Sequence, residues 1–341
     1  MLIIKILLGA YSDIKGRKFV FASSFLLQSI SNSLFPFAKG FFEIAIVKTL
    51  FDFGTSIKDA LKSTVIYENA AKIFAKITAW ISGIIHLMWA IASFSTAIII
   101  SIFAFENAFL LIGVLELIAF LVIIFLYNEK MKIPKKSSFH LKEMYSLNIH
   151  RNMWVLMIAT SLFYIGIFLS HGFAQPLYFQ AKYNLSTAQI GLITGLHRLS
   201  LALPLFYTGT IMQKINTKKA YILSAIIVSV FLLAIGLANN LMIALLFWLL
   251  HDVFGGSINV PTQEILIQKN ARNTQRGKDV NTMQLLLGIA AIVTPSLSGA
   301  LIVIDWDLIF LVGGTLTIIA ALIVLFFYKE IYEKHDLKIT Q

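Results

Sequence analysis

Residues 308–328 read LIFLVGGTLTIIAALIVLFFY, 21 positions without a charge. At about 1.5 Å rise per residue such a stretch covers about 30 Å, the hydrocarbon thickness of a bilayer. Lipid offers the backbone no hydrogen-bond partner, so the segment is predicted to be a helix that satisfies its own N–H and C=O groups. Nine blocks of similar character precede it: Phe19–Ala38, Phe41–Tyr67, Ile77–Ile102, Ala104–Tyr127, Met153–Phe179, Thr187–Met212, Ala220–Ala238, Leu241–Ile267 and Asn281–Ile304. The expected fold is therefore all-α and integral to the membrane, with about ten complete transmembrane helices. Composition agrees: 58% of residues are hydrophobic and 13% charged, against about 25% charged in ordinary soluble domains. A water-soluble fold is excluded.

The formal net charge of +11 raises the question of nucleic acid, and its distribution answers it. Of the 28 basic residues, 23 fall in alternate loops and at the C-terminus. They include Arg17 and Lys18, Lys72 and Lys76, the run from Lys130 to Arg151, Lys214 to Lys219, Lys269 to Lys278, and Lys329 to Lys338. The opposite loops hold only Lys39 and Lys182. This is the positive-inside pattern, so the basic side and the C-terminus are expected to be cytoplasmic, and no nucleic-acid partner is expected. There is no cysteine, which excludes disulfides and thiolate metal sites.

An internal repeat divides the chain. Phe53-Gly54-Thr55-Ser56-Ile57 recurs as Phe254-Gly255-Gly256-Ser257-Ile258, Asn69-Ala70 as Asn270-Ala271, and Gly9 as Gly209, all at offsets of 200–201. The expected organisation is an N-terminal helical bundle over 1–127, a cytoplasmic central loop over 128–151, a six-helix bundle over 152–328 and a cytoplasmic tail over 329–341. Gly209 has about 57 residues of its half before it and Gly9 has eight. The first bundle is accordingly expected to lack its first helix and most of its second.

Gly9-Ala-Tyr-Ser-Asp13-Ile-Lys-Gly16-Arg17-Lys18 precedes the first full block. It resembles the Gly-x-x-x-Asp-Arg-x-Gly-Arg-Lys loop that follows the second helix of the major facilitator superfamily. Ile14 stands where that family usually has arginine. The resemblance implies two pseudo-symmetric helical bundles and a cytoplasmic gate motif made by Gly9, Asp13, Gly16, Arg17 and Lys18. Gly9 is expected to let helices approach, Asp13 to face the N-terminus of a neighbouring helix, and Arg17 to pair with a carboxylate such as Glu68.

Ionisable residues inside the bilayer are costly and mark cavities or partners. Lys48, Asp52, Thr55, Asp59 and Lys62 share one helix face, as do Asp252, Gly255, Asn259 and Thr262. Tyr164, Phe168, His171 and Gln175 form a third stripe, and His197 and Arg198 lie mid-helix. Because the family lines its cavity with helices one, four, seven and ten, the expected substrate and ion pathway comprises Lys48, Asp52, Thr55, His171, Gln175, His197, Arg198, Asp252 and Asn259. A mutual Lys48–Asp52 pair at i, i+4 is the plainer alternative for those two. His86 and His251 read as packed histidines, Glu116 as one end of an interhelical hydrogen bond, and Ser186-Thr-Ala-Gln189 as a capping box.

The block Ile81–Ile99 lacks the Gly-Pro pair of proton antiporters, and no Walker loop, HExxH or nucleophile elbow occurs. No enzyme activity, cofactor or metal is expected. The resemblance implies a secondary transporter that moves a small-molecule solute by alternating access, driven by the solute gradient or by protons as coupling ion. It is expected as a monomer in the lipid bilayer of the plasma membrane. The alternative is a transport-inactive truncated paralogue acting as a membrane receptor or scaffold.

Overall fold

The computed structural model describes residues 2–129, 149–212 and 214–330. Most of the expected central loop and the C-terminal tail lie outside the described residues. The described chain is helical throughout, with no strand: α1 (Leu2–Lys15), α2 (Arg17–Leu34), α3 (Phe41–Ala70), α4 (Phe74–Leu126), α5 (Arg151–Ser170), α6 (Ala174–Tyr183), α7 (Thr187–Met212), α8 (Thr217–Gly236), α9 (Leu241–Asn270), α10 (Arg276–Ile304) and α11 (Leu308–Phe327). Eight runs among the described residues are long and apolar enough to cross a membrane.

Three expectations change in detail. The blocks Ile77–Ile102 and Ala104–Tyr127 are one helical run, α4, of 53 residues. A straight helix of that length would extend about 80 Å. Yet the Tyr127 hydroxyl lies 3.0 Å from Asn69 Nδ2, just before the run begins. The run therefore turns back on itself and makes two antiparallel passes. Conversely, the block Met153–Phe179 is broken. α5 stops at Ser170, His171 is extended, and Gly172 takes a positive φ of 66° that side-chain-bearing residues rarely adopt. α6 then resumes at Ala174. In α9, residues His251–Gly256 widen into a π turn.

Two bundles result, and the repeat is written into their contacts. Ser29 Oγ donates to the Gly113 carbonyl at 2.7 Å, and Ser229 Oγ donates to the Gly314 carbonyl at 2.6 Å. Asn69 Nδ2 bridges the Val65 carbonyl and Tyr127; Asn270 Nδ2 bridges the Leu266 carbonyl and Tyr328. Gly54 lets α3 close on α2 at the Ser24 carbonyl, 2.8 Å from where a Cβ would stand, and Gly255 lets α9 close on α8 near Ser224 and Val228. Small polar residues thus hold helices together where apolar burial gives no driving force, because lipid is as apolar as leucine. The outer faces present Leu115, Ile118, Val122 and Phe125 of α4 and Leu322, Leu325 and Phe326 of α11 to the surroundings, as a lipid-facing surface should.

The bundles meet along two helix pairs, α1 with α10 and α4 with α7. Gly9 approaches the Gly277 carbonyl on one seam, and its repeat partner Gly209 approaches the Ala75 carbonyl on the other. Trp80 Nε1 also donates to the Phe206 carbonyl at 2.9 Å. The Ser186–Gln189 capping box is formed: Ser186 N donates to Gln189 Oε1 and Gln189 N to Ser186 Oγ.

Asn270 is buried and also pairs with Asn152. Asn270→Ala leaves the Tyr328 hydroxyl and Asn152 short of a partner, a loss of about 1–3 kcal/mol. Thermal unfolding of the purified protein in detergent should show a clearly lower Tm for this variant; an unchanged Tm refutes the role given to Asn270.

Candidate functional site

The loop between α1 and α2 builds the first of two polar centres. Gly16, at φ 100°, turns the chain between the helices. Asp13, buried at the end of α1, accepts from the backbone N–H groups of Gly277 and Lys278, each at 3.0 Å. These are orphan donors of the first turn of α10, where the helix dipole favours a carboxylate. Arg17, 1% exposed, donates to Asp13 and, at 2.9 Å, to Glu68 of α3. It also reaches Ser12 Oγ. One guanidinium thus ties α1, α2 and α3 to the carboxylate that holds α10.

The same end carries further ties. Gln268 Nε2 of α9 donates to Ser63 Oγ of α3 at 2.8 Å, and the Arg276 guanidinium lies 4.2 Å from the centroid of the Tyr67 ring. The Asp13 and Arg17 contacts match the expectation from sequence. Glu129 does not: its carboxylate accepts from the backbone N–H groups of Arg17 and Lys18 and caps α2. It lies at the mouth of the long linker, 112 residues from Arg17, and no local pattern announces it. Lys18 contributes its backbone to this cap.

The second centre lies inside the second bundle. Asp252 is 5% exposed, with His197 Nε2 at 2.9 Å from Oδ2 and His251 Nε2 at 3.4 Å from Oδ1. His171 completes the group, and the three histidines place one ring nitrogen each within 4.8 Å of one another. Trp248 stacks on His197 at 4.5 Å between centroids and packs on His171 at 4.6 Å. His171 comes from the break after α5, His197 from the middle of α7, and His251 and Asp252 from the π turn of α9. No ligand spacing in the sequence marks this cluster. The break and the bulge bring it together, and His251, read as a packed histidine, is buried and belongs to the group.

The other residues of the expected pathway have partners of their own. Lys48 and Asp52 pair with each other on α3, about half exposed, the plainer of the two readings of these residues. Thr55 Oγ1 accepts from Gln28 Nε2 at 2.6 Å. Gln175 donates to Thr194 at 3.2 Å, joining α6 to α7. Arg198 lies over the Trp89 ring at 4.9 Å, on the seam between α7 and α4. Asn259 is buried and donates to Ser224 of α8 at 3.0 Å, a tie within the second bundle. Glu116 accepts from Asn32 at 2.7 Å, the interhelical bond expected of it.

Comparison with known proteins gives a consistent picture. A family model described as Major Facilitator Superfamily matches residues 1–196 and again 156–340. No curated protein matches the sequence significantly. Among solved structures, the human organic anion transporter MFSD10 (TETRAN) is similar with a TM-score of 0.77 at 14% identity, covering 95% of this chain and 80% of that one. A bacterial homologue of the iron transporter ferroportin, in an outward-facing state, is similar with a TM-score of 0.73 at 16% identity, covering 95% and 86%. At such identities the likeness is one of fold.

Asp13→Asn keeps the shape of the side chain and removes the charge that two N–H donors and Arg17 share. In this cysteine-free chain, a single Ser63→Cys variant reports opening of the same end, since Ser63 is 4% exposed. Adding Asp13→Asn should speed modification of that thiol by a water-soluble maleimide about tenfold or more, the equivalent of about 1.4 kcal/mol. An unchanged labelling rate would show that Asp13 does not hold the bundles closed.

Proposed function

The chain belongs to the major facilitator superfamily, and from that premise we propose that it is a secondary transporter moving a small solute by alternating access. The observation that carries the proposal is the asymmetry between the two ends of the α3 face. At the basic end, Asp13, Arg17, Glu68, Ser63 and Gln268 draw the bundles together through a handful of polar contacts. Towards the other end, Lys48 and Asp52 of the same helix stand open. A few hydrogen bonds, each worth about 1–3 kcal/mol, hold a seam that reverses on a functional timescale. A continuous apolar core would not.

The basic end is the cytoplasmic one under the positive-inside rule, so this conformation is closed to the cytoplasm. Rocking of one bundle against the other about the α1–α10 and α4–α7 seams would open it, as in transporters built from repeats. Lys48 and Asp52 supply charge of both signs along the route, and Arg198 on the seam adds a third group. The solute gradient or protons supply the driving force, and the bilayer in question is the plasma membrane.

Two expected outcomes test this reading. Spin labels at Lys39→Cys and Asn239→Cys, at the far ends of the two bundles, should give two distance populations in vesicles. Weakening the latch with Asp13→Asn should shift the balance towards the shorter distance; a single, unchanging distance would rule out alternating access. Ser63→Cys combined with Gln268→Cys should form a disulfide under oxidation, collapse the distribution to the longer distance, and release it on reduction.

A further inference from the structure

We propose that His171, His197, His251 and Asp252 form a binding site for one divalent transition-metal ion inside the second bundle. The donor set is three imidazoles and a carboxylate, the set that borderline cations such as Zn²⁺ take in four-coordinate sites. Metal binding there does not depend on whether the chain transports.

Geometry carries the assignment. Donors sharing one ion at about 2.1 Å stand about 2.9–3.4 Å apart for angles between a right angle and the tetrahedral value. His197 Nε2 and Asp252 Oδ2 are 2.9 Å apart, and His251 Nε2 and Asp252 Oδ1 are 3.4 Å apart. His197 Nε2 and Asp252 Oδ2 have only each other, as a poorly aligned ion pair, and His251 Nε2, also buried, has no aligned hydrogen bond. Buried polar atoms without partners are rare and costly. A cation between them satisfies all three at once. The imidazole nitrogens lie within 4.8 Å of one another, so loading needs the widest pair to close by up to about 1.4–1.9 Å through movement of the rings.

The outer contacts of two of the three histidines fit as well, while His197 Nδ1 is buried without a hydrogen-bond partner. His251 Nδ1 is bonded to the Trp248 carbonyl and His171 Nδ1 to the Ile167 carbonyl, the latter at 2.7 Å. A backbone carbonyl on Nδ1 fixes the N–H there and leaves Nε2 as the lone pair, the arrangement that orients metal-bound histidines. His171 Nδ1 is also 3.1 Å from Ser170 Oγ. The backbone is irregular at just these points, broken after Ser170 and widened over His251–Gly256. Irregular backbone at membrane depth is tolerated where it lines a site, and π turns recur at functional positions. Gly256 leaves room for the carboxylate, since a Cβ there would stand 2.7 Å from Asp252 Oδ1.

The test uses the full chain purified with a histidine-free affinity tag, stripped with chelator and titrated with Zn²⁺, and separately with Co²⁺ as an optical probe. The expected result is one Zn²⁺ per chain, a rise in Tm on loading, and visible d–d bands with Co²⁺ characteristic of nitrogen and oxygen ligands. His171→Gln and His251→Gln should each weaken Zn²⁺ binding by at least about 100-fold, more than loss of an outer contact. His150→Gln, outside the cluster, should leave binding intact. Each variant is taken as informative when its gel-filtration profile and metal-free Tm match the parent. Should His251→Gln misfold, His171→Gln at the chain break carries the test with the same expectation. Absence of stoichiometric Zn²⁺ uptake by the parent overturns the proposal. So does binding that persists at full strength in a folded His171→Gln or His251→Gln protein.

Discussion

Lipid gives the backbone nothing to bond to, and the rest of this structure follows from that constraint. Every regular stretch must close its own ladder as a helix, which is why an apolar sequence with 13% charge folds as it does. Every departure from the ladder must then find a partner within the protein. The two clearest departures in the second bundle, after Ser170 and over His251–Gly256, face each other and are filled by histidine, aspartate and tryptophan rather than by apolar side chains. The His171 and His251 rings bond carbonyls of their own elements, those of Ile167 and Trp248, and meet each other ring to ring. Polar chemistry therefore concentrates where the backbone is irregular.

The same reasoning orders the seam between the bundles. Apolar area gives helices in lipid little reason to associate, so association rests on close approach and on hydrogen bonds. Gly9 and Gly209 supply the approach on the two seams, and Asp13 supplies two charge-assisted hydrogen bonds by meeting the first turn of α10. Duplication of the half-structure explains why the same positions recur at an offset of about 200. It also sharpens the contrast between Asp52 and Asp252, which lie within one residue of each other in the register of the repeat. One faces a lysine in the open, and the other sits in a box of rings.

Much of this was legible in the sequence because it is local. Apolar block length marked the spans, and the spacing from Gly9 to Lys18 marked a cluster of contacts around Asp13 and Arg17. Glu68 and Glu116 were readable as partners because a carboxylate in or beside lipid must have one. What escaped was non-local or masked by composition. Ser170-His171-Gly172 lies within a run apolar enough to pass for continuous helix. The two passes of α4 share one unbroken helical pattern. The histidine cluster draws on three helices spread over about 80 residues of chain, and no periodicity connects them. Glu129 caps α2 from across the first bundle.

Two ion pairs in this protein share the i, i+4 spacing, and they differ in how they feel dissolved salt. Arg17 and Asp13 are 1% and 9% exposed at their side chains, whereas Lys48 and Asp52 are 54% and 46% exposed. At physiological ionic strength the screening length is about 8 Å, and it acts through water. Counter-ions therefore reach the half-exposed pair on α3 more readily than the buried pair at Arg17. The two pairs are thus electrically decoupled by burial alone.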